Sequence, residues 1–263
     1  MMTSPDIDNA FKDKLLSVVI PAYNEEKRIG TTVKQVLEYL RGKGWKYEVI
    51  VVDDGSADRT ADMTREAAGG DPSVLLISNG RNMGKGFTVR RGMMAAHGDA
   101  RLFTDADAAA PIEDMEKLIP HWQAGCGVVF GSRNVPGSRI EIHQSRLREG
   151  IGRIFNLLVR LLVLPGCKDT QAGFKLFSRE CAEKVFPKQR LTNFAFDVEI
   201  LFLARCAGFK IAEVPITWSD RSGSKIRIFL SPTIMLLELL KIRWNQLCGR
   251  YSRAGGATAD SSK

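Results

Sequence analysis

The chain has 263 residues, 44% of them hydrophobic, which is enough for a sizeable buried core and predicts one main domain. Its formal net charge of +8 favours an anionic partner, whether nucleic acid, an acidic membrane surface or a phosphorylated substrate. The five cysteines, at 126, 167, 181, 206 and 248, form no CxxC pair and stand near no histidine at metal-finger spacing. That excludes a zinc finger and a disulfide framework and fits a reducing cytosol.

Met1 to Lys14 carries Asp6, Asp8, Asp13 and two lysines with no apolar run, so it reads as an N-terminal extension, neither signal peptide nor anchor. Leu15–Ile20 and Tyr47–Val52 are β-branched runs, and Ile29, Val33, Val36, Leu37 and Leu40 recur between them at helical spacing, which makes a βαβ unit. The rhythm continues through a helix at Asp58–Ala67, a strand at Val74–Ser78, a helix at Gly86–Ala96 and a strand at Ala100–Thr104. A helix at Ile112–Trp122 and a strand at Gly127–Gly131 follow, before a polar loop with Pro136, Gly137 and Ser138 interrupts the pattern. Then come a helix at Gly150–Leu164, a strand at Phe174–Phe177, a helix at Asp197–Ala207 and a strand at Ile211–Val214. Pro232 opens a last helix that runs to about Leu247, within a C-terminal amphipathic segment at 231–248, and the Gly-, Ala- and Ser-rich tail at 249–263 is expected to be disordered. Strands alternating with helices predict a Rossmann-like α/β domain over residues 15–230, with a mostly parallel twisted sheet covered on both faces. No stretch reaches the roughly 20 uninterrupted apolar residues that a bilayer span needs.

In such sheets ligands bind beyond the carboxyl ends of the strands. Three polar clusters fall there: Pro21-Ala22-Tyr23-Asn24-Glu25 after the first strand, Asp53-Asp54-Gly55-Ser56 after the second, and Asp105-Ala106-Asp107 after the fourth. Asn24 and Ser56 also suit helix caps, and a strand-end Asp suits a turn, but three such clusters on one sheet edge point to a site. Asp105 and Asp107 on one short turn can share a hard divalent cation, Mg²⁺ or Mn²⁺, which takes its remaining ligands from substrate phosphates. Loss of a nucleoside diphosphate as leaving group calls for that cation. Asn79 to Gly86 is a basic, Gly-rich loop entering a helix N-terminus, favourable ground for phosphates. It is not a P-loop, since three residues separate Gly80 from Gly84 where four are required, and Gly86 replaces the metal-binding hydroxyl. Nor does a G-x-G-x-x-G follow the first strand.

The motifs PAYNE (Pro21–Glu25), VVDDGSADRT (Val51–Thr60), NMGKG (Asn82–Gly86), TDAD (Thr104–Asp107), GSR (Gly131–Arg133), DTQAGFK (Asp169–Lys175) and FDVEI (Phe196–Ile200) together resemble the family 2 glycosyltransferases of the GT-A fold, from about Leu15 to Arg227. NMGKG, DTQAGFK, FDVEI and GSK (Gly223–Lys225) narrow the resemblance to the branch of dolichyl-phosphate glucose and mannose synthases. The resemblance implies an inverting transfer of a hexose from a nucleotide-sugar to a polyprenyl phosphate, giving a β-linked product. By the same resemblance Pro21, Tyr23, Glu25 and Asp53 hold the nucleotide, with Asp54 a neighbouring candidate. Asp105 and Asp107 bind diphosphate and metal, and Lys85 lies by the donor phosphates. Mannose synthases commonly read D-A-D-L-Q, whereas this chain has Ala108 and Ala109, so UDP-glucose is favoured over GDP-mannose.

A phosphate monoester with a second pKa near ~6 is already nucleophilic at neutral pH, so the acceptor needs cations more than a base. Arg133 is the first choice, then Arg146, Arg148 and Lys225. Asp169, Gln171, Asp197 and Glu199 line the acceptor side by resemblance, with Asp197 the catalytic candidate, although either Asp169 or Asp197 could instead orient Arg133 or Lys175. His143, near Arg146, could touch substrate. Ile151–Leu164 and Ile234–Leu247 mix Leu, Phe and Trp with Arg153, Arg160, Lys241 and Arg243; they read as interfacial helices that would hold the enzyme peripherally on the cytoplasmic face of a membrane, or alternatively as helices packed on the sheet. Basic residues are scattered without an aromatic platform, which argues against nucleic acid. Transfer to a sugar hydroxyl is the competing enzymatic reading. A catalytically silent sugar-nucleotide scaffold is the non-enzymatic one, opposed by the intact Asp105 and Asp107.

Overall fold

The computed structural model describes residues 7–142, 146–193, 195–219 and 232–252, with the side chains of 146–149, 151 and 232–235 outside the description. Its elements in chain order are β1 (Leu15–Ala22), α1 (Ile29–Lys43), β2 (Lys46–Asp53), α2 (Thr60–Ala68), β3 (Val74–Ser78), α3 (Lys85–Ala95), β4 (Ala100–Thr104), α4 (Met115–Gln123) and β5 (Val128–Ser132). There follow β6 (Arg139–Ile142), α5 (Arg146–Leu162), β7 (Phe174–Ser178), α6 (Arg179–Val185), α7 (Phe196–Cys206), β8 (Ile211–Pro215), β9 (Thr217–Ser219) and α8 (Pro232–Leu247).

Seven strands form one sheet in the order β3-β2-β1-β4-β7-β5-β8. All neighbours are parallel except β7, which runs antiparallel between β4 and β5. The first two strands extend into the polar motifs, because Pro21 still pairs with Val52 and Ala22 with Asp53. A second sheet, β6 beside β9, occupies part of the stretch read as an interrupting loop. Helix α6 was also not expected; it starts where Ser178 accepts a hydrogen bond from the Cys181 amide at 3.2 Å.

Alternation along the strands sends Val19, Ile50, Val52, Phe103 and Phe130 to one face and Val18, Ile20, Val51, Leu102 and Val129 to the other. The first face is covered by residues of α3, α5, α6, α7 and α8, the second by α1 and α4. Residues 7–14, read as an extension, join the second core: Phe11 is wholly buried, its ring centroid 5.1 Å from those of both Trp45 and Trp122. The C-terminal helix likewise belongs to the first core through Leu239 and Ile242, with Tyr251 behind it. Most of the tail read as disordered, residues 253–263, lies outside the described residues.

Candidate active site

At the carboxyl ends of β1, β2 and β4 lies a cleft of about 380 Å³. Pro21, Tyr23 and Glu25 reach it from the β1 turn, Asp54 from β2, Lys85 from α3, and Asp105 and Asp107 from the turn after β4. The first two turns are stitched together. Ser56 Oγ accepts from the Asn24 amide at 2.8 Å, and Asn24 Oδ1 accepts from the Ala57 amide at 2.8 Å, so these residues join turns rather than cap helices. Asp53 is not among the residues lining the cleft; its carboxylate is engaged by the amide and hydroxyl of Ser56.

Asp54 builds the glycine loop: its carboxylate accepts from Asn79 Nδ2 at 2.7 Å and from the amides of Met83 and Gly84 at 2.9 and 3.0 Å. The Gly86 amide donates to the Thr192 carbonyl at 2.8 Å. Gly84 sits at φ +92 with the space for a Cβ only 2.6 Å from that same carbonyl oxygen, so only glycine fits. The amides of Met83, Gly84 and Gly86, read as a phosphate cradle, are therefore used inside the protein. The cation this loop presents to the cleft is the Lys85 ammonium, 2.7 Å from Asp105 Oδ1 with 31% of its side chain accessible. Burial works against the charge on Lys85, but Asp105, Asp197 and Asp107 outweigh it and hold the ammonium above its ordinary pKa.

Asp105 is placed by backbone. Its amide donates to the Gly173 carbonyl at 3.2 Å, and a Cβ on Gly173 would stand 2.0 Å from Asp105 Oδ2. Asp107 accepts from the Ala109 amide at 3.0 Å, and burial together with the Asp105 charge pushes its carboxyl above the ordinary range. Two oxygen donors that repel each other at a cleft floor fit a divalent cation. Among the described residues no group of three His, Cys, Asp or Glu could hold a metal unaided, so such an ion would draw further ligands from a bound diphosphate.

Arg133 follows β5 and is not among the residues that line this cleft. Its Nε and NH2 meet Asp169 Oδ2 and Oδ1 at 2.7 and 2.8 Å, and its amide adds a third bond at 2.9 Å. Burial pushes the Asp169 carboxyl up, but the Arg133 charge and hydrogen bonds outweigh it and hold it below its ordinary pKa. Burial also opposes the guanidinium charge; Asp169 overcomes this, with Asp105 and Asp197 contributing to the same field. Of the two donor-side carboxylates, Asp105 contributes to the field at Arg133.

The other acceptor-side carboxylates are withdrawn. Asp197 is 4% exposed and bound to Lys175 Nζ, whose residue is wholly buried and also donates to the Ala172 carbonyl at 2.5 Å. Burial raises the Asp197 pKa, with Lys175 pulling the other way. Glu199 accepts from the amides of Arg190 and Leu191 at 3.0 and 2.7 Å and from Tyr251 Oη at 2.7 Å. Neither is among the residues that line the donor cleft. Gln171 is half-buried on the loop that carries Asp169 and also lies off the donor cleft. Arg146 and Arg148 open helix α5 with side chains outside the description, and His143 and Lys225 lie outside the described residues. Sequence reasoning missed Arg28, Thr88 and Asn193 in the cleft, which also takes Asn82 from the NMGKG loop. Arg28 alone had a local signal, its spacing from Glu25, with which it pairs at 2.5 Å.

Helices α5 and α8 pack against each other. Phe155, Val159, Leu239 and Ile242 point inward, while Ile154, Leu157, Leu161, Leu237, Leu240, Trp244 and Leu247 are exposed. Trp244 is 59% and Leu247 82% accessible, and Arg153, Arg160, Lys241 and Arg243 are exposed on the same two helices. No helix among the described residues is long and apolar enough to cross a membrane.

The family model described as Glycosyl transferase family 2 matches residues 17–186. Dolichyl-phosphate beta-glucosyltransferase of Dictyostelium discoideum is 37% identical over 92% of this chain and 77% of its own length. The Mus musculus protein of that name is 38% identical over 90% of this chain and 78% of its own, and the Saccharomyces cerevisiae one 35% over 90% and 76%. Among solved structures, Mycobacterium tuberculosis glucosyl-3-phosphoglycerate synthase in complex with Mn²⁺, UDP-glucose and phosphoglyceric acid aligns with a TM-score of 0.66 at 19% identity, covering 97% of this chain and 86% of that one. At that identity the likeness is one of fold.

Proposed function

The chain belongs to glycosyl transferase family 2, and within it to the dolichyl-phosphate beta-glucosyltransferases, and from that premise we propose that the cleft transfers glucose from UDP-glucose to a dolichyl-type polyprenyl phosphate with inversion. One observation supports the reading: Asp105 and Asp107 line one cleft with Lys85, whose ammonium lies 2.7 Å from Asp105 Oδ1, and the Asp105 charge also helps to hold the Arg133 guanidinium.

Tyr23, Glu25 and Pro21 take the nucleotide at the mouth of the cleft. Asp105 and Asp107 hold a divalent cation, Mg²⁺ or Mn²⁺, which when bound neutralises charge on the departing diphosphate. Lys85 turns its ammonium to the donor phosphates. Arg133 draws in the acceptor phosphate, whose oxygen forms the new bond to the anomeric carbon as the bond from that carbon to the diphosphate oxygen breaks. The phosphate dianion has no proton to give up at the attacking oxygen, so no base is needed. This agrees with a site in which Asp169, Asp197 and Glu199 are each committed to an internal partner.

The lipid acceptor reaches this cleft from a membrane surface. The exposed apolar residues and cations of α5 and α8 support peripheral attachment. The five free cysteines support a reducing compartment and hence the cytoplasmic face. The testing experiment supplies radiolabelled UDP-glucose or GDP-mannose, with and without dolichyl phosphate. Label should enter the organic phase only from UDP-glucose and only with the lipid; equal transfer from GDP-mannose would overturn the donor assignment.

A further inference from the structure

The Arg133 guanidinium has a second neighbour that its ion pair does not explain. Its central carbon lies 5.1 Å from the ring centroid of Trp218, within the range of a cation–π contact. Asp169 occupies the Nε and NH2 edge, and the guanidinium carbon stands over the indole ring. Trp218 is held in turn from both ends of its short strand. The Thr217 amide donates to Asp114, the Ser219 amide donates to the Ala109 carbonyl at 2.9 Å, and Ser219 Oγ donates to Glu141 at 2.6 Å. Ala109 is the residue whose amide binds Asp107. Strand β9 therefore ties the turn that carries the donor carboxylates to the arginine that follows β5.

Among the described residues Asp169 grips the guanidinium along one edge, about which it can still swing, and a phosphate oxygen must meet its remaining donors in line with the anomeric carbon. The indole ring removes that freedom. We propose that Trp218 is a positioning residue for the acceptor: it fixes the plane of the Arg133 guanidinium and so the place of the incoming phosphate. This rests on the assignment of Arg133 to that phosphate. Trp218 acts through Arg133, and the donor site does not depend on it.

The test is a double-mutant cycle on the full chain, with dolichyl phosphate in vesicles as acceptor and UDP-glucose as donor. Trp218→Leu should raise the acceptor KM by roughly tenfold, the scale of a lost partly desolvated cation–π contact, with the UDP-glucose KM and the calorimetric affinity for UDP with Mn²⁺ unchanged. Trp218→Phe should recover most of the loss. Because the effect runs through one side chain, Trp218→Leu should cost nothing further once Arg133 is alanine. An unchanged acceptor KM in Trp218→Leu, with Arg133→Ala impaired, overturns this inference alone. An unchanged acceptor KM in Arg133→Ala overturns the arginine assignment and the inference with it. Equal losses of Trp218→Leu on both backgrounds, or a parallel fall in UDP affinity, also overturn it. If Trp218→Leu does not fold, Trp218→Phe serves the same cycle, with an expected rise of about twofold to threefold.

Discussion

The cleft and the buried region behind β5 and β7 use the same residue type in opposite ways. On the donor wall Asp105 and Asp107 reach the cleft, one held against Gly173 and the other by the Ala109 amide. Off the cleft lining, Asp169, Asp197 and Glu199 are buried, and each satisfies a cation, amide or hydroxyl. A carboxylate in a low-dielectric interior must be paired to stay ionised, and once paired it positions its partner rather than the substrate. Burial, not residue type, divides catalysis from support.

That division is broken most severely by Asp107→Ala, which removes a cation ligand. Transfer to lipid should fall on the order of a thousandfold, several kcal/mol of barrier, while thermal unfolding is unchanged. Lys175→Met attacks the buried region. It leaves Asp197 buried without its cation, so urea unfolding should show a loss of about 3–5 kcal/mol. Melting as wild type would mean that Asp197 is not a structural anion.

Gly173→Ala sharpens the comparison, because the three atoms nearest to its Cβ, at 2.0 to 2.7 Å, all belong to the Asp105 carboxylate. Displacing that carboxylate should weaken UDP binding in the presence of Mn²⁺ by about tenfold with little change in stability. A large loss of stability with intact binding would place Gly173 among the packing residues instead. The smallest effect is expected at the lipid face. Replacing Trp244 and Leu247 with serine should reduce binding to anionic vesicles about tenfold and leave UDP affinity untouched; unaltered vesicle binding would remove α8 from the membrane contact.

The donor wall was legible in the sequence because strand ends dictate it. PAYNE, DDGS and DAD each follow a hydrophobic run whose register carries them to one edge. Even there, Asp53 and Asp54 could not be told apart, since a single step in register decides which carboxylate turns inward. Around Arg133 less was legible: the sequence offered the pairing of Asp169 or Asp197 with Arg133 or Lys175 as an alternative, and the structure holds Arg133 on Asp169 and Lys175 on Asp197, but the strands of that region could not be read. Alternation gives a strand but not its direction, so the reversal of β7 went unseen, and four- and three-residue strands such as β6 and β9 are too short to show a period. Asn193 and Trp218 reach the site from distant segments, and nothing in their neighbours announces it.

Calorimetric titration of UDP in the presence of Mn²⁺ tests the division most directly, on Asp107→Asn and Glu199→Gln side by side. Binding should be lost in the first and kept in the second. Wild-type affinity in Asp107→Asn would contradict the account at its centre.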